Sequence, residues 1–277
     1  MLVTFQDILA MAEKDGFAVP AMNVYNMETV MGVIAAAEEL RAPVILQNYS
    51  RLFTNEEGYY CAPVALAAAK KASVPVCFHL DHGAGLNEVT RAMRAGATGI
   101  MIDKSLLSLE ENIAETKRVV GLCSAVGIGV EGEIGHVGVA AKGDEQTTEY
   151  TTVEEAKAFV DGTGVTALAV AVGTAHGRYK KAPKLAIERI AELHKAVPAS
   201  IVLHGGSGVP DDQIRAAIDA GIRKINFGTD LCYAFLDAVR ATSPDIVAVD
   251  LFMKDAVKSV KEFAMGKIRL LGAEGRA

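Results

Sequence analysis

The sequence lacks the features that mark several whole classes of protein. Lys and Arg number 28 against 34 Asp and Glu, giving a formal net charge of −6. Nucleic-acid-binding domains ordinarily carry a basic stripe, and none is visible. No uncharged apolar run reaches the roughly 18 residues that a bilayer-spanning helix needs. The opening segment, MLVTFQDILAMAEKDG, has no basic stretch and meets an acid at Asp7, so it does not read as a secretory signal. Cysteine is scarce: Cys61, Cys77, Cys123 and Cys232 lie far apart with no CxxC pair. They read as reduced thiols filling a core, as in a cytoplasmic protein. No Ser/Pro/Gly-rich linker, low-complexity stretch or internal repeat divides the chain. No GxGxxG follows the first apolar segment, which argues against an open dinucleotide-binding sheet.

What is present is a regular alternation. Apolar residues make up 51% of the 277 residues, enough for a large core. Eight short apolar, β-branched segments recur at 18–23, 44–48, 74–80, 99–102, 128–130, 167–172, 200–203 and 224–226. Helical patterns lie between most of them, at 28–41, 86–95, 110–125, 153–162, 185–196 and 211–220. Thr152 and Pro210-Asp211-Asp212 are helix-start signals. Gly96, Gly127, Gly164 and Gly221 mark helix ends or turns into the next strand. Near-continuous apolar strands alternating with helices imply a parallel sheet covered by helices. Eight such units in this length predict one α/β domain over residues 1–277, a closed (β/α)₈ TIM barrel.

The residues just after each apolar segment are Asn23, Asn48 with Ser50, Asp81-His82, Asp103, Glu131 with Glu133, His176, His204 and Asn226. Barrel enzymes build their sites from the C-terminal ends of the strands, so these side chains should converge on one mouth. A lone strand-end histidine is most often a hydrogen-bonded rim residue. Here His82, His176 and His204, three of only six histidines, all fall at such ends and predict a metal centre with an open position. His79 falls inside its strand and fits barrel filling equally well. Asp81 is a candidate general acid/base, or alternatively a carboxylate that orients an imidazole. Its neighbour Gly83 is the expected site of the turn that lets both Asp81 and His82 face inward. Asp103 and Glu133 could hold a metal in a second position or offset its charge. The run His204-Gly205-Gly206-Ser207-Gly208 after strand seven, and Asn226-Phe227-Gly228-Thr229 at strand eight, suit a phosphate. Barrels commonly grip phosphate with these two loops, and Lys180 could add a cation.

Together these segments resemble the class II, metal-dependent ketose-bisphosphate aldolases of the fructose- and tagatose-bisphosphate type. The likeness runs through PAMNVYNMETV, FHLDHG, MIDKS, VEGEIGHVG, AVGTAHGRYK, VLHGGSG, KINFGTD and GKIRLLG. It implies a lyase that reversibly cleaves a ketose phosphate to dihydroxyacetone phosphate and an aldehyde through a zinc-stabilised enediolate. His82, His176 and His204 would hold Zn²⁺, with Asp103 and Glu133 as ligands for a shifted ion. Asp81 would be the proton donor/acceptor at the new bond. Gly177, Lys180, Gly205, Gly206, Ser207 and Asn226 through Thr229 (Phe227 and Gly228 included) would bind the donor, with a monovalent cation near its phosphate. Asn23 and Ser50 would be the polar residues of the first two strands. A homodimer or homotetramer in the cytoplasm is the expected setting, with no nucleic acid or membrane partner.

A metal Lewis acid makes a Schiff-base lysine unnecessary. None is evident, since Lys224 reads as the start of a strand and not its end. The resemblance assigns the carbon-acid proton to a glutamate on the loop after strand five. Here that loop is Gly135–Tyr150, whose GDEQTTE run suits a lid; Glu145 is the candidate base and Glu149 the second. One departure concerns the acceptor. Fructose-type members carry an Arg where this chain has Cys232, and Gly228 replaces a side chain that reads sugar hydroxyls. A thiol cannot make the charge-assisted contact of a guanidinium with a distal phosphate, so a ketose 1-phosphate, with an unphosphorylated acceptor, is expected. The alternatives are a fructose- or tagatose-1,6-bisphosphate aldolase proper, using Arg178, or Arg269 or Arg276 from the C-terminus of a neighbouring subunit, and a sugar-phosphate-binding barrel without lyase activity.

Overall fold

The computed structural model describes residues 1–135, 150–175, 177, 179 and 182–277. Eight parallel strands close into a barrel in sequence order, with the last pairing onto the first. They are β1 (Val19–Asn23), β2 (Val44–Tyr49), β3 (Val76–Gly83), β4 (Gly99–Ile102), β5 (Gly129–Ile134), β6 (Ala167–Val170), β7 (Ser200–Leu203) and β8 (Ile222–Phe227). The described helices are α1 (Phe5–Asp15), α2 (Met27–Glu39), α3 (Ser50–Thr54), α4 (Glu57–Lys71), α5 (Leu86–Arg94) and α6 (Leu109–Ser124). The second half adds α7 (Val153–Thr163), α8 (Ile187–Ala196), α9 (Asp211–Asp219), α10 (Thr229–Ala241), α11 (Val249–Phe252) and α12 (Lys254–Leu270). Among the described residues no helix is long and apolar enough to cross a membrane.

The expected barrel is present, and the strand bounds differ in ways that matter for the site. β3 runs past Leu80 to Gly83, because Gly83 still pairs with Ile102 of β4 after a shift of register. β5 runs to Ile134, so Glu131 and Glu133 lie within a strand and not beyond it. β8 begins at Ile222, which puts Lys224 in mid-strand and fully buried, not at the strand's start. The periodicity also passes over α1, which precedes the first strand. Thr4 caps that helix by accepting from the backbone N–H of Asp7, and Gly16 ends it in the left-handed region. α1 touches β1, β3, β5 and β8, strands from different sides of the barrel, and so lies across its N-terminal opening. Its Phe5, Ile8, Leu9 and Ala12 are buried there. The Phe5 ring meets the ring of His79 with centroids 4.7 Å apart. His79 is therefore barrel filling, the second of the two readings its position allowed. Burial, followed by the nearby charge of Lys224, lowers its pKa to about 3 and keeps it neutral.

Candidate active site

Successive residues of a strand face opposite ways, yet Asp81 and His82 both turn their side chains into one cluster. The backbone of His82 explains this, with a φ of 49° in the left-handed region. A residue with a β-carbon ordinarily avoids that region, at a cost of about 1–2 kcal/mol. The β3–β4 register slips at the same point. The turn is thus made by His82 and not, as expected, by Gly83. Gly83 serves for space: a Cβ there would lie 2.5 Å from the carbonyl oxygen of Met101.

Two imidazoles face each other, with His204 Nδ1 lying 3.0 Å from His82 Nε2. Each ring is oriented from behind by a carboxylate: His82 Nδ1 by Asp103 Oδ2 at 2.8 Å, and His204 Nε2 by Glu131 Oε1 at 2.7 Å. Carboxylate–histidine pairs of this kind fix the tautomer of a metal-binding imidazole and make it a better ligand. Glu133 Oε2 lies 3.5 Å from His204 Nδ1 and Asp81 Oδ1 lies 3.9 Å from His82 Nε2. Two ligand sets result, Asp81–His82–His204 and His82–Asp103–Glu133, each with its donor atoms within 4.8 Å of one another. Burial acts to lower the pKa of His82, but Asp81, Asp103 and Glu133 more than offset it and push it up to about 10. Burial likewise works to raise the Asp103 carboxyl, whereas its bond to His82 and two bonds from Ser105 hold it well below the usual carboxylate range.

Asp81 is itself buried and clasped by two amides. Asn23 Nδ2 donates to Oδ2 at 2.6 Å, and Asn226 Nδ2 donates to Oδ1 at 3.1 Å. These amides come from β1 and β8, the strands that close the barrel. A cavity of about 300 Å³ opens over the cluster, lined by Asn23, Tyr25, Tyr49, Asp81, His82, Asp103, Glu133, Gly177, Gly205, Ser207, Asn226, Gly228 and Thr229. A larger cavity of about 790 Å³ lies between α4 and α5 and holds neither ligand set. Gly205 has a φ of 65°, and a Cβ there would collide with the carbonyl of Ala175, so only glycine fits beside the pocket.

Most of the expected residues are thus brought together. Gly206 and Phe227 are not on the cavity wall: Gly206 packs on Ile225, and the Phe227 ring meets Phe263 edge-on with the Lys267 ammonium over its face. Ser50 starts α3 instead of ending β2, and Tyr49 lines the cavity in its stead. His176, Arg178, Lys180, Glu145 and Glu149 lie outside the described residues, as does the lid segment between its ends Gly135 and Tyr150.

Several side chains were not singled out by sequence. Asp230 joins the two phosphate-type loops, its N–H donating to Ser207 Oγ at 3.2 Å and its Oδ2 accepting from Gly208 N at 3.0 Å. Tyr179 bridges the loops after β6 and β7, accepting from Ala175 N at 2.7 Å and donating to Gly205 O at 2.9 Å. Arg51 stands 5.5 Å from the centre of the Tyr49 ring. Its charge bears on Tyr25 and Cys232, and burial raises the pKa of both. Within the chain, Arg269 and Arg276 pair with Glu274 and Asp15 at 3.5 and 3.7 Å.

The chain resembles known proteins over its whole length. The profile of the family described as fructose-bisphosphate aldolase class-II matches residues 3–276. A fructose-bisphosphate aldolase of Thermus caldophilus is 39% identical over an alignment of 310 residues that covers 100% of both chains. The crystal structure of the YdjI aldolase of Escherichia coli K12 superposes with a TM-score of 0.91 at 36% identity, again over 100% of each chain.

Proposed function

The chain belongs to the class-II fructose-bisphosphate aldolase family, and on that premise we propose that it cleaves a ketose 1-phosphate reversibly into dihydroxyacetone phosphate and an aldehyde. The observation that carries this reading is the clasped carboxylate of Asp81 at the edge of a cluster of metal-competent donors. Imidazole and carboxylate donors with an open side suit a divalent ion such as zinc, and His82 and His204, with His176 from outside the described residues, are the proposed ligands. Asp103 and Glu133 are proposed for a second position. Bound there, the ion would supply Lewis-acid stabilisation for the negative charge that develops beside the ketone.

The protein's own groups do the rest. Gly177, Gly205, Ser207, Gly228 and Thr229 line the side of the cavity suited to the phosphate of the donor, where backbone N–H groups and a hydroxyl can face an anion. In cleavage, a carboxylate oxygen of Asp81 takes the proton from the hydroxyl on the carbon that leaves. The carbon–carbon bond breaks as that carbon becomes the aldehyde carbonyl, and condensation returns the same proton. Asn23 and Asn226 keep both oxygens aimed at this task. Exchange of the carbon-acid proton is assigned to Glu145, or in second place Glu149.

Two observations bear on the acceptor. Burial raises the pKa of the Cys232 thiol and keeps it neutral, which supports an acceptor without a distal phosphate. The guanidinium of Arg51 on the same side favours the second reading, a bisphosphate. Comparing kcat/KM for fructose 1,6-bisphosphate, tagatose 1,6-bisphosphate and several ketose 1-phosphates decides between them. Faster turnover of a monophosphate is expected. A bisphosphate preferred by about tenfold, the effect of roughly one charge-assisted hydrogen bond, would establish the second reading, and loss of that preference in Arg51→Ala would assign the distal grip to Arg51.

A further inference from the structure

Directly beneath the proposed site lies an ion pair between two fully buried side chains. Lys224 Nζ of β8 stands 2.8 Å from Glu131 Oε2 of β5, and neither side chain is exposed at all. Removing two such charges from water is expensive, and an apolar pair of equal volume generally serves stability as well or better. The fold alone therefore does not account for them. Their remaining contacts do. Glu131 gives one oxygen to Lys224 and the other, Oε1, to His204 Nε2 at 2.7 Å. Beside this ion pair, Lys224 donates a hydrogen bond to Asn226 Oδ1 at 2.6 Å. An ammonium can only donate, so the oxygen end of the Asn226 amide must face it. The NH₂ end is then forced toward Asp81, where Nδ2 donates to Oδ1 at 3.1 Å. Flipped the other way, the amide would set its oxygen against a carboxylate.

We propose that Lys224 is a positioning residue that sets both halves of the site at once, aiming the imidazole of His204 through Glu131 and the carboxylate of Asp81 through Asn226. The inference rests on the proposed roles of His204 and Asp81. It also gives the buried lysine a task in a metal-dependent aldolase that is not Schiff-base chemistry. Its ammonium is occupied by Glu131 and Asn226 and shut off from the cavity.

The two limbs can be separated by substitution. In Lys224→Met, zinc affinity measured by chelator competition should fall about 10–100-fold, the usual effect of losing an outer-shell partner. The visible spectrum of the cobalt-substituted protein should shift, and kcat should fall while KM for the donor phosphate stays near its original value. The double variant Lys224→Met/Glu131→Gln carries no buried charge at this position and still offers His204 an acceptor. It should recover zinc affinity and the cobalt spectrum while kcat remains low, because the oxygen end of Asn226 has still lost the ammonium that anchors it. If Lys224→Met fails to fold, the double variant alone decides. Wild-type zinc affinity and kcat in Lys224→Met would overturn the proposal, as would a double variant in which both readouts recover or both are lost. His204→Ala and Asp81→Ala run alongside. If they lose metal and turnover respectively while the Lys224 variants do not, only the role of Lys224 falls.

Discussion

The two ends of the barrel are closed in opposite ways. At the N-terminal end α1 lays Phe5, Ile8, Leu9 and Ala12 against the strands, and all four are buried. At the C-terminal end the buried residues include Asn23, Asp81, Glu133, His204, Ser207 and Asn226. The first end is held by contact area, which tolerates small displacements. The second is a hydrogen-bonded network in a low-dielectric setting, where each unpaired group is costly and each paired group is stiff. Barrels of this kind keep stability and reactivity at opposite ends of the same strands, and this chain divides them in the same way. The layer that joins them, His79, Glu131 and Lys224, is as fully buried as the apolar plug and as polar as the mouth.

That division can be broken from either side. The largest effect is expected for His204→Ala, which should lose both bound metal and activity; metal content and triose release measure it. Full turnover in metal-free protein would remove the mouth's proposed chemistry altogether. Next comes Asp81→Ala, expected to lower kcat by roughly 10²–10⁴, the range for a positioned acid/base, with metal content unchanged. Loss of metal along with turnover would make Asp81 a partner of His82 and not a proton carrier. At the opposite end, Phe5→Ala should cost about 3–5 kcal/mol in urea unfolding, as for a fully buried aromatic. The kcat of its folded fraction should stay close to the parent value. A fall in kcat as large as the Asp81 variant's would show that the two ends are not separate.

The smallest effect sharpens the comparison through pH. In the metal-free protein His82 has its pKa raised from the ordinary 6.5 to about 10, against burial, by Asp81, Asp103 and Glu133. Between those values the folded chain holds a proton that the unfolded chain does not. The stabilisation from this group is complete below pH 6.5 and is lost as pH rises through about 10. Zinc added near neutral pH must displace that proton. An indicator dye in weak buffer should register about one proton per ion bound, and no release would show the imidazole neutral beforehand.

The sequence makes the barrel legible because each apolar strand ends abruptly in a polar residue, so that strand count and site composition are read from the same positions. Candidate residues at the last positions of a strand or just beyond it, such as His82, His204 and Ser207, are the most legible in sequence. Glu131 and Lys224 were harder, since a charged residue inside an apolar strand offers nothing in sequence to say whether it faces the barrel axis. The turn at Asp81-His82 was attributed to the adjacent glycine because glycine is the usual left-handed residue. Sequence cannot reveal that the carbonyl of Met101 presses on Gly83 while His82 takes the strained angle. α1 escaped notice because it plugs the barrel before the first strand and so breaks the strand–helix rhythm. Asp230 and Tyr179 escaped because their value lies in bridging two loops that only the closed barrel brings together.

The clasp on Asp81 ties the proposed acid/base to the closing of the barrel. Its two amides stand on β1 and β8, and Ala21 pairs with Asn226 across the seam where the barrel's first and last strands meet. Contacts between distant parts of a chain carry the greatest loop-closure cost and form slowly. Helices and the neighbouring strand pairs can recover while that seam is still open, but Asp81 then has neither of its escorts in register. On refolding, turnover is therefore expected to return no earlier than helical ellipticity, a comparison that stopped-flow activity and circular dichroism can make. A fragment complementation system split anywhere in the chain would report, through activity, on the joining of its two ends.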